Sequence, residues 1–374
     1  MARRSILALT MLLLALGGCD RDEPAPPPPP PPRDPIAERL QSLLEREAEA
    51  CDVPGAVLLV QSPRRRWVGA AGLADPRRGV PLRPTDNFRI ASITKTFVAA
   101  ALLRLREEGK LRIDDPLSKW LPNEVLDHVA NGHRLRLDQL LNMTSGVPDY
   151  IHVDGWKRLV RHHHPEPYEA LDMVNFIFDA PADFAPGEEW DYCNTNYLLA
   201  QMVLEKAAGN SMTAELRRLV IDPLQLRDTF NELHEPRPSG FGGLTTRGHE
   251  AWHDRPYDVT EYNESLGLAD GGLISTAADL QHFLQALLHD RTLLRTDSLR
   301  LMMKFDRRQD YGLGLDRTKT AFGPSLGHTG DGAGFCTEAR YFPDYDAYVV
   351  LLTTRTGNDL YKRVLEPALS LAMQ

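Results

Sequence analysis

Cysteine is scarce in this chain, four in 374 residues, and no Cys/His spacing has the pattern of a zinc site. Positive charge is in deficit. A net charge of −9 leaves no basic face of the kind that nucleic acid requires, and the short run Arg64 to Arg66 reads as a hairpin tip. No internal repeat is present, so the chain is not a repeat array. No motif calls for a cofactor or a metal. The histidine run His162-His163-His164 does not change this, because adjacent histidines point in different directions on any regular element, and an exposed loop suits them better. What remains is ordinary globular composition, 42% hydrophobic and 25% charged. At this length it makes one large domain or two subdomains.

The first residues read as targeting rather than structure. Arg3 and Arg4 precede an apolar run from Ile6 to Leu16, and Gly17, Gly18 and Cys19 follow. Basic, apolar and small-residue regions in that order make a secretory signal. Leu16-Gly17-Gly18-Cys19 resembles a bacterial lipobox. That resemblance implies a signal peptide over 1–18, cleavage, and lipid on Cys19; the other reading is a plain signal with an incidental cysteine. Asp20 favours retention at the inner membrane. Pro24 through Pro35 is nearly all proline, which forms stiff, extended polyproline II. The expectation is a lipidated cysteine and linker over 19–35, holding a soluble domain from 36 to 374 off a membrane in the bacterial periplasm. Cys51, Cys193 and Cys336 are then an odd set in an oxidising compartment, either one disulfide and a free thiol or three buried thiols.

Within the domain, Ile36 to Ala50 has helical spacing (Ile36, Leu40, Leu43, Leu44). Ala56 to Val60 and Trp67 to Gly72 form a hairpin pattern around a turn at Pro63. Ala339 to Phe342 and Ala347 to Thr353 form another, and Asp359 to Met373 is helical in pattern. The two ends therefore each supply strands and a helix. The expected class is α+β: one antiparallel sheet built from both termini and flanked by terminal helices, with a mainly helical subdomain inserted. The sheet part is expected over about 36–91 and 265–374, the helical part over about 92–264.

Three stretches carry chemistry. In Ser92-Ile93-Thr94-Lys95, residues three apart share a helix face. A serine hydroxyl needs a neighbouring base before it becomes a nucleophile, and a lysine can be that base. Alone, the pattern also fits an N-terminal serine and an exposed lysine. The apolar residues after it, from Phe97 to Leu105, make a core helix instead, with Lys95 at its edge and Gly109 as its stop. The second stretch runs from Pro186-Gly187 to Trp190-Asp191-Tyr192-Cys193-Asn194-Thr195. Tyr192 and Asn194 are two apart and project to one side of an extended backbone. A phenol can relay protons, and an amide can bond both a lysine and a substrate carbonyl. The same stretch also fits a capped turn before a helix over Tyr197 to Ala208. The third is His328-Thr329-Gly330, just before a strand, where glycine permits close approach and a strand edge can offer N–H groups to an oxyanion. Gly271 to Leu280 reads as a structural loop and capped helix.

Together these motifs resemble the serine β-lactamase and penicillin-binding-protein family, in the branch of class C β-lactamases, D-alanyl-D-alanine carboxypeptidases and related esterases. Thr144-Ser145-Gly146-Val147, Phe184-Ala185-Pro186-Gly187, Pro223-Leu224, Gly271-Gly272-Leu273 and Tyr311-Gly312-Leu313-Gly314 extend the resemblance over nearly all of the chain from Ile36. It implies a β-lactamase/transpeptidase-like fold and a serine hydrolase of amides or esters. Ser92 would be acylated, Lys95 would activate it, and Tyr192 would move the proton to the leaving group. Asn194 would orient Lys95 and substrate. His328 would stand where the family has a lysine, Thr329 would hold a substrate carboxylate, and the N–H groups of Ser92 and Asp331 beside Gly330 would receive the oxyanion. Histidine in place of lysine, and a carboxylate at Asp331, both turn the expectation away from an efficient β-lactamase toward a carboxypeptidase or esterase. A β-lactamase and a non-turnover penicillin-binding sensor are the alternatives. The expected partners are a small-molecule or peptide substrate and, through the lipid, a membrane; no oligomer is expected.

Overall fold

The computed structural model describes residues 34–159, 167–235, 243–252, 255–263, 266–306 and 308–374. Cys19, the linker before Asp34 and His162-His163-His164 lie outside the described residues. The first helix, α1 (Pro35–Ala50), opens on a proline, whose missing N–H is an orphan at that position anyway. The chain then enters the hairpin β1 (Gly55–Ser62) and β2 (Arg65–Asp75), with a short β3 (Val80–Pro81) beyond it. Near the other end run β4 (Asp316–Thr320), β5 (Gly323–Gly332), β6 (Phe335–Phe342) and β7 (Ala347–Thr353). These seven strands form one sheet in the order β3-β2-β1-β7-β6-β5-β4. The two ends of the chain meet at its centre, where β1 pairs antiparallel with β7, Leu58 opposite Leu351.

Both faces of this sheet are buried, and the period-2 alternation of strand side chains sorts them. Ala56, Leu58 and Val60 of β1 and Val349 and Leu351 of β7 face one core. That core is closed by Leu40 and Leu44 of α1 and by Leu360, Val364 and Leu369 of the C-terminal helix (Leu360–Ala372). Val57, Leu59, Val350 and Leu352 face the other core, shared with the inserted helices. The central inserted helix is α2 (Thr94–Glu107), buried from Thr94 to Leu103. It stops as the sequence suggests. Gly109 has φ +75°, its N–H donates to Arg106 C=O, and the Lys110 N–H reaches back to Leu105 C=O, the Schellman arrangement. A second inserted helix is α3 (Thr195–Ala208).

The insertion, mainly helical, also contains a strand pair, His249–Trp252 with Arg255–Asp258, and the short strand Phe230–Asn231. One feature departs from the expected layout. The His328 motif lies inside β5 rather than ahead of a strand. The sequence hid this because His328, Gly330 and Gly332 break the apolar alternation at the end that borders the site.

Candidate active site

Ser92 sits where a strand turns sharply into a helix. Phe88–Arg89 pairs with Leu273–Ser275, which also pairs with Phe230–Asn231. A single turn of tighter helix over Ala91–Ile93 then runs straight into α2. Ala91 takes φ +43°, a left-handed conformation that an alanine adopts only under constraint from its surroundings. The constraint is visible. The Arg89 side chain, buried, donates to both Glu232 carboxylate oxygens at 2.7 and 2.9 Å and to the carbonyls of Thr260 and Ala333. Gly330 of β5 lies against the same segment: a Cβ there would stand 2.2 Å from Ile90 O and 3.1 Å from Ala91 Cβ. Only glycine lets β5 come this close.

The hydroxyl of Ser92 is half-buried, and the Lys95 Nζ lies 2.9 Å from it. Lys95 itself has no exposed surface. Its Nζ also lies 2.8 Å from Asn194 Oδ1 and 2.6 Å from Asp270 O. As an ammonium it donates to all three acceptors. As a neutral amine it donates to the two carbonyl oxygens and keeps its lone pair for the proton of Ser92. Both states of the proton cycle are therefore fully hydrogen-bonded in one geometry, which a buried amine needs. Asn194 precedes α3, and its backbone N–H and Nδ2 both donate to Asp149 Oδ2, at 3.0 and 2.8 Å. With Nδ2 held by a carboxylate, Oδ1 must face Lys95.

Tyr192 stands over this group, its ring centroid 5.1 Å from Lys95 Nζ. Its Oη is buried and has no hydrogen-bond partner among the described residues, which leaves it free for a reacting group. Its ring meets those of Tyr311 and His328. The stretches around Ser92, Tyr192 and His328, far apart in the chain, thus converge.

His328 is placed differently from the expectation that it touches substrate. It is buried, with Nε2 2.9 Å from Tyr311 Oη and Nδ1 2.5 Å from Thr329 O. A carbonyl only accepts, so Nδ1 carries the proton and Nε2 accepts from the phenol. Burial pushes the ring's pKa down to about 4, so His328 is neutral and both its nitrogens are committed inside the protein. Thr329 and Asp331, alternating with it, are exposed. The Asp331 carboxylate turns outward and accepts the Gly357 N–H at 3.1 and 3.2 Å. Pairing of β5 with β4 ends at Gly327, so from His328 to Gly332 that edge of β5 has no strand neighbour among the described residues.

Sequence reasoning missed four participants. Asp270 directly precedes a segment read as structural. The helix there, Ala277–Leu284, is indeed capped by Thr276, but the Asp270 carbonyl reaches Lys95. The Asp270 side chain is buried; one oxygen accepts the Tyr150 hydroxyl at 2.6 Å and the other has no partner among the described residues. Asp149, Tyr150 and Tyr311 adjoin or lie in stretches that carried the resemblance, yet nothing in their spacing showed which side chain they serve. Cys51, Cys193 and Cys336 are free thiols, and no group of three or more His, Cys, Asp or Glu side chains among the described residues is placed to hold a metal.

A serine at a strand-to-helix turn, a buried amine beside it and a free strand edge opposite are arranged as in a serine hydrolase that works through an acyl-enzyme on amides or esters. The chain belongs to the Beta-lactamase family, whose model matches residues 40–373. It is 26% identical over 343 residues to penicillin-binding protein 4* of Bacillus subtilis, covering 88% of this chain and 74% of that protein. Esterase EstB of Burkholderia gladioli is 33% identical over 208 residues, 52% of this chain and 51% of the esterase; the match thus spans about half of that relative. Among solved structures, a D-stereospecific amidohydrolase from Streptomyces superposes with a TM-score of 0.77 and 31% identity, covering 89% of this chain and 98% of that one.

Proposed function

We propose that Ser92 is the nucleophile, Lys95 its base and Tyr192 the proton relay, and that the substrate is a small amide or ester with no carboxylate to be clamped. Lys95 takes the Ser92 proton as Oγ bonds to the carbonyl carbon. The oxyanion lies against the N–H groups of Ser92 and Asp331, each such donor being worth about 10²–10³ in rate. As the C–N or C–O bond breaks, the leaving group takes the proton through Tyr192. Water then adds to the acyl-enzyme, giving its proton to the same bases, and Ser92 leaves reprotonated.

The observation that carries this reading is the arrangement of Lys95, 2.9 Å from Ser92 Oγ, with every hydrogen-bonding position matched in either protonation state. The absence of a carboxylate clamp rests on His328, neutral and doubly hydrogen-bonded, where a lysine would hold a charge out to substrate. The likeness to a D-stereospecific amidohydrolase favours amides of D-configured acids. A panel of a D-alanine p-nitroanilide, its L-isomer, p-nitrophenyl butyrate, a D-Ala-D-Ala peptide and a chromogenic cephalosporin tests it. The expected result is turnover of the D-anilide and the ester well ahead of the cephalosporin and the peptide. Turnover of the cephalosporin as the best substrate would overturn the reading in favour of a β-lactamase.

We also propose that the domain is tethered to a bacterial membrane on its periplasmic side by lipid at Cys19, with Asp20 favouring the inner membrane. The motif Leu16-Gly17-Gly18-Cys19 and the proline-rich spacer support it. Cys19→Ser should move the protein from the membrane to the soluble fraction; a variant that stays membrane-bound would rule out the lipid.

A further inference from the structure

Every partner of Lys95 other than Ser92 is anchored from one short turn. Asp149 holds the backbone and side chain of Asn194 through a single carboxylate oxygen, at 3.0 and 2.8 Å. The next residue, Tyr150, donates to the side chain of Asp270, whose carbonyl is the third partner. The turn is fixed in its place: the Tyr150 N–H donates to Thr195 Oγ1 at 3.0 Å, and that hydroxyl donates to Pro148 O at 2.8 Å. Asp149 Oδ1 also accepts the Ile151 N–H at 3.3 Å, capping the turn it belongs to. Asp149 is buried.

From this geometry we infer that Asp149 is a positioning residue, acting on Lys95 through the amide of Asn194. An asparagine amide has two orientations that differ by a half-turn. With the carboxylate behind it, Nδ2 is occupied and Oδ1 faces the amine. Without the carboxylate the amide is free to rotate, and in the rotated form Nδ2 faces Nζ, donor against donor. Lys95 then has only the Ser92 hydroxyl and the Asp270 carbonyl to hold it, and its lone pair no longer has a fixed line to Ser92 Oγ. Proton transfer falls with that alignment, while substrate binding is expected to hold, because both ends of the Asn194 amide are committed to Asp149 and Lys95 and not to substrate.

The inference rests on Ser92 and Lys95 being the reacting pair, and a double-mutant cycle on p-nitrophenyl butyrate hydrolysis keeps the two questions apart. Asp149→Ala should lower kcat by about 10–100-fold with KM within about threefold. Asp149→Asn keeps an oxygen for the Asn194 amide and should recover kcat to within about threefold of the parent, melting temperatures reporting that both variants fold. Asn194→Ala and the double variant Asp149→Ala/Asn194→Ala should agree within about twofold, because with no amide to orient, the carboxylate keeps only its bonds to the N–H groups of residues 194 and 151, which hold the turn and not the amine. Losses that multiply in the double variant, or an Asp149→Asn variant as impaired as Asp149→Ala, would overturn the inference and leave Asp149 as a turn cap. If instead Ser92→Ala still turns over the ester, the acyl-enzyme reading fails, whatever the cycle shows.

Discussion

His328 shows how one substitution within a shared motif changes what a site can hold. A lysine there would carry a charge toward substrate. The histidine is drawn inward between Tyr311 and its own strand's carbonyl, where burial outweighs the attraction of Asp316 and keeps the ring neutral, its pKa near 4. An unfolded histidine titrates near 6.5. The unfolded chain therefore binds this proton in a range where the folded protein does not. The stabilising contribution is complete above about pH 6.5 and is lost as pH falls toward 4, amounting at the limit to something on the order of 3 kcal/mol. His328→Gln retains hydrogen bonding without a titrating ring. It should lose less stability than the parent between pH 7 and pH 4.5 in denaturant unfolding, and an unchanged slope would show that His328 has the same proton affinity folded and unfolded, so that burial does not depress it. Residue identity was legible here, since lysine-to-histidine was visible in the motif. The direction of the side chain was not, because it depends on Tyr311, seventeen positions away and unremarkable by spacing.

The elements that matter most are those that meet at glycines. β5 can bring its free edge against the turn that carries Ser92 because Gly330 has no side chain; an added Cβ would overlap the Ile90 carbonyl oxygen at 2.2 Å and Thr337 Oγ1 at 2.5 Å. Backbone cannot move aside cheaply, so Gly330→Ala should lower stability by about 1–3 kcal/mol and also reduce the rate of acylation, since the strand edge moves away from Ser92. Chemical denaturation read together with a burst-phase assay would check it. Full acylation in a destabilised variant would separate the strand from the chemistry. Much at this scale could be read beforehand. Terminal helices and hairpins announce themselves by period and by turn residues, and α2 by its apolar run. The short strands beyond the main sheet could not: Phe230–Asn231 and Leu273–Ser275 are too short to show any alternation, and the sequences of His249–Trp252 and Arg255–Asp258 do not alternate apolar with polar residues.

At the scale of the molecule, the sheet is a closure device. Joining β1 to β7 brings positions nearly three hundred residues apart into register, and β5, two strands from β7, carries the His328 motif up to the turn of Ser92. The antiparallel sheet from both ends followed from the sequence, because apolar strands and amphipathic helices stood at each terminus. That the chain would fold back so that Asn194 and Asp270 reach one amine, with Asp149 behind Asn194, did not, since contacts of that range leave no local pattern. The chemistry proposed for the site depends on this convergence making Ser92 a nucleophile. The direct measurement is intact-mass and peptide mapping of the domain after reaction with a fluorophosphonate. A single adduct on the peptide containing Ser92, absent from Ser92→Ala and strongly slowed in Lys95→Ala, is the predicted result; an adduct on another residue, or one that persists in Ser92→Ala, would contradict it.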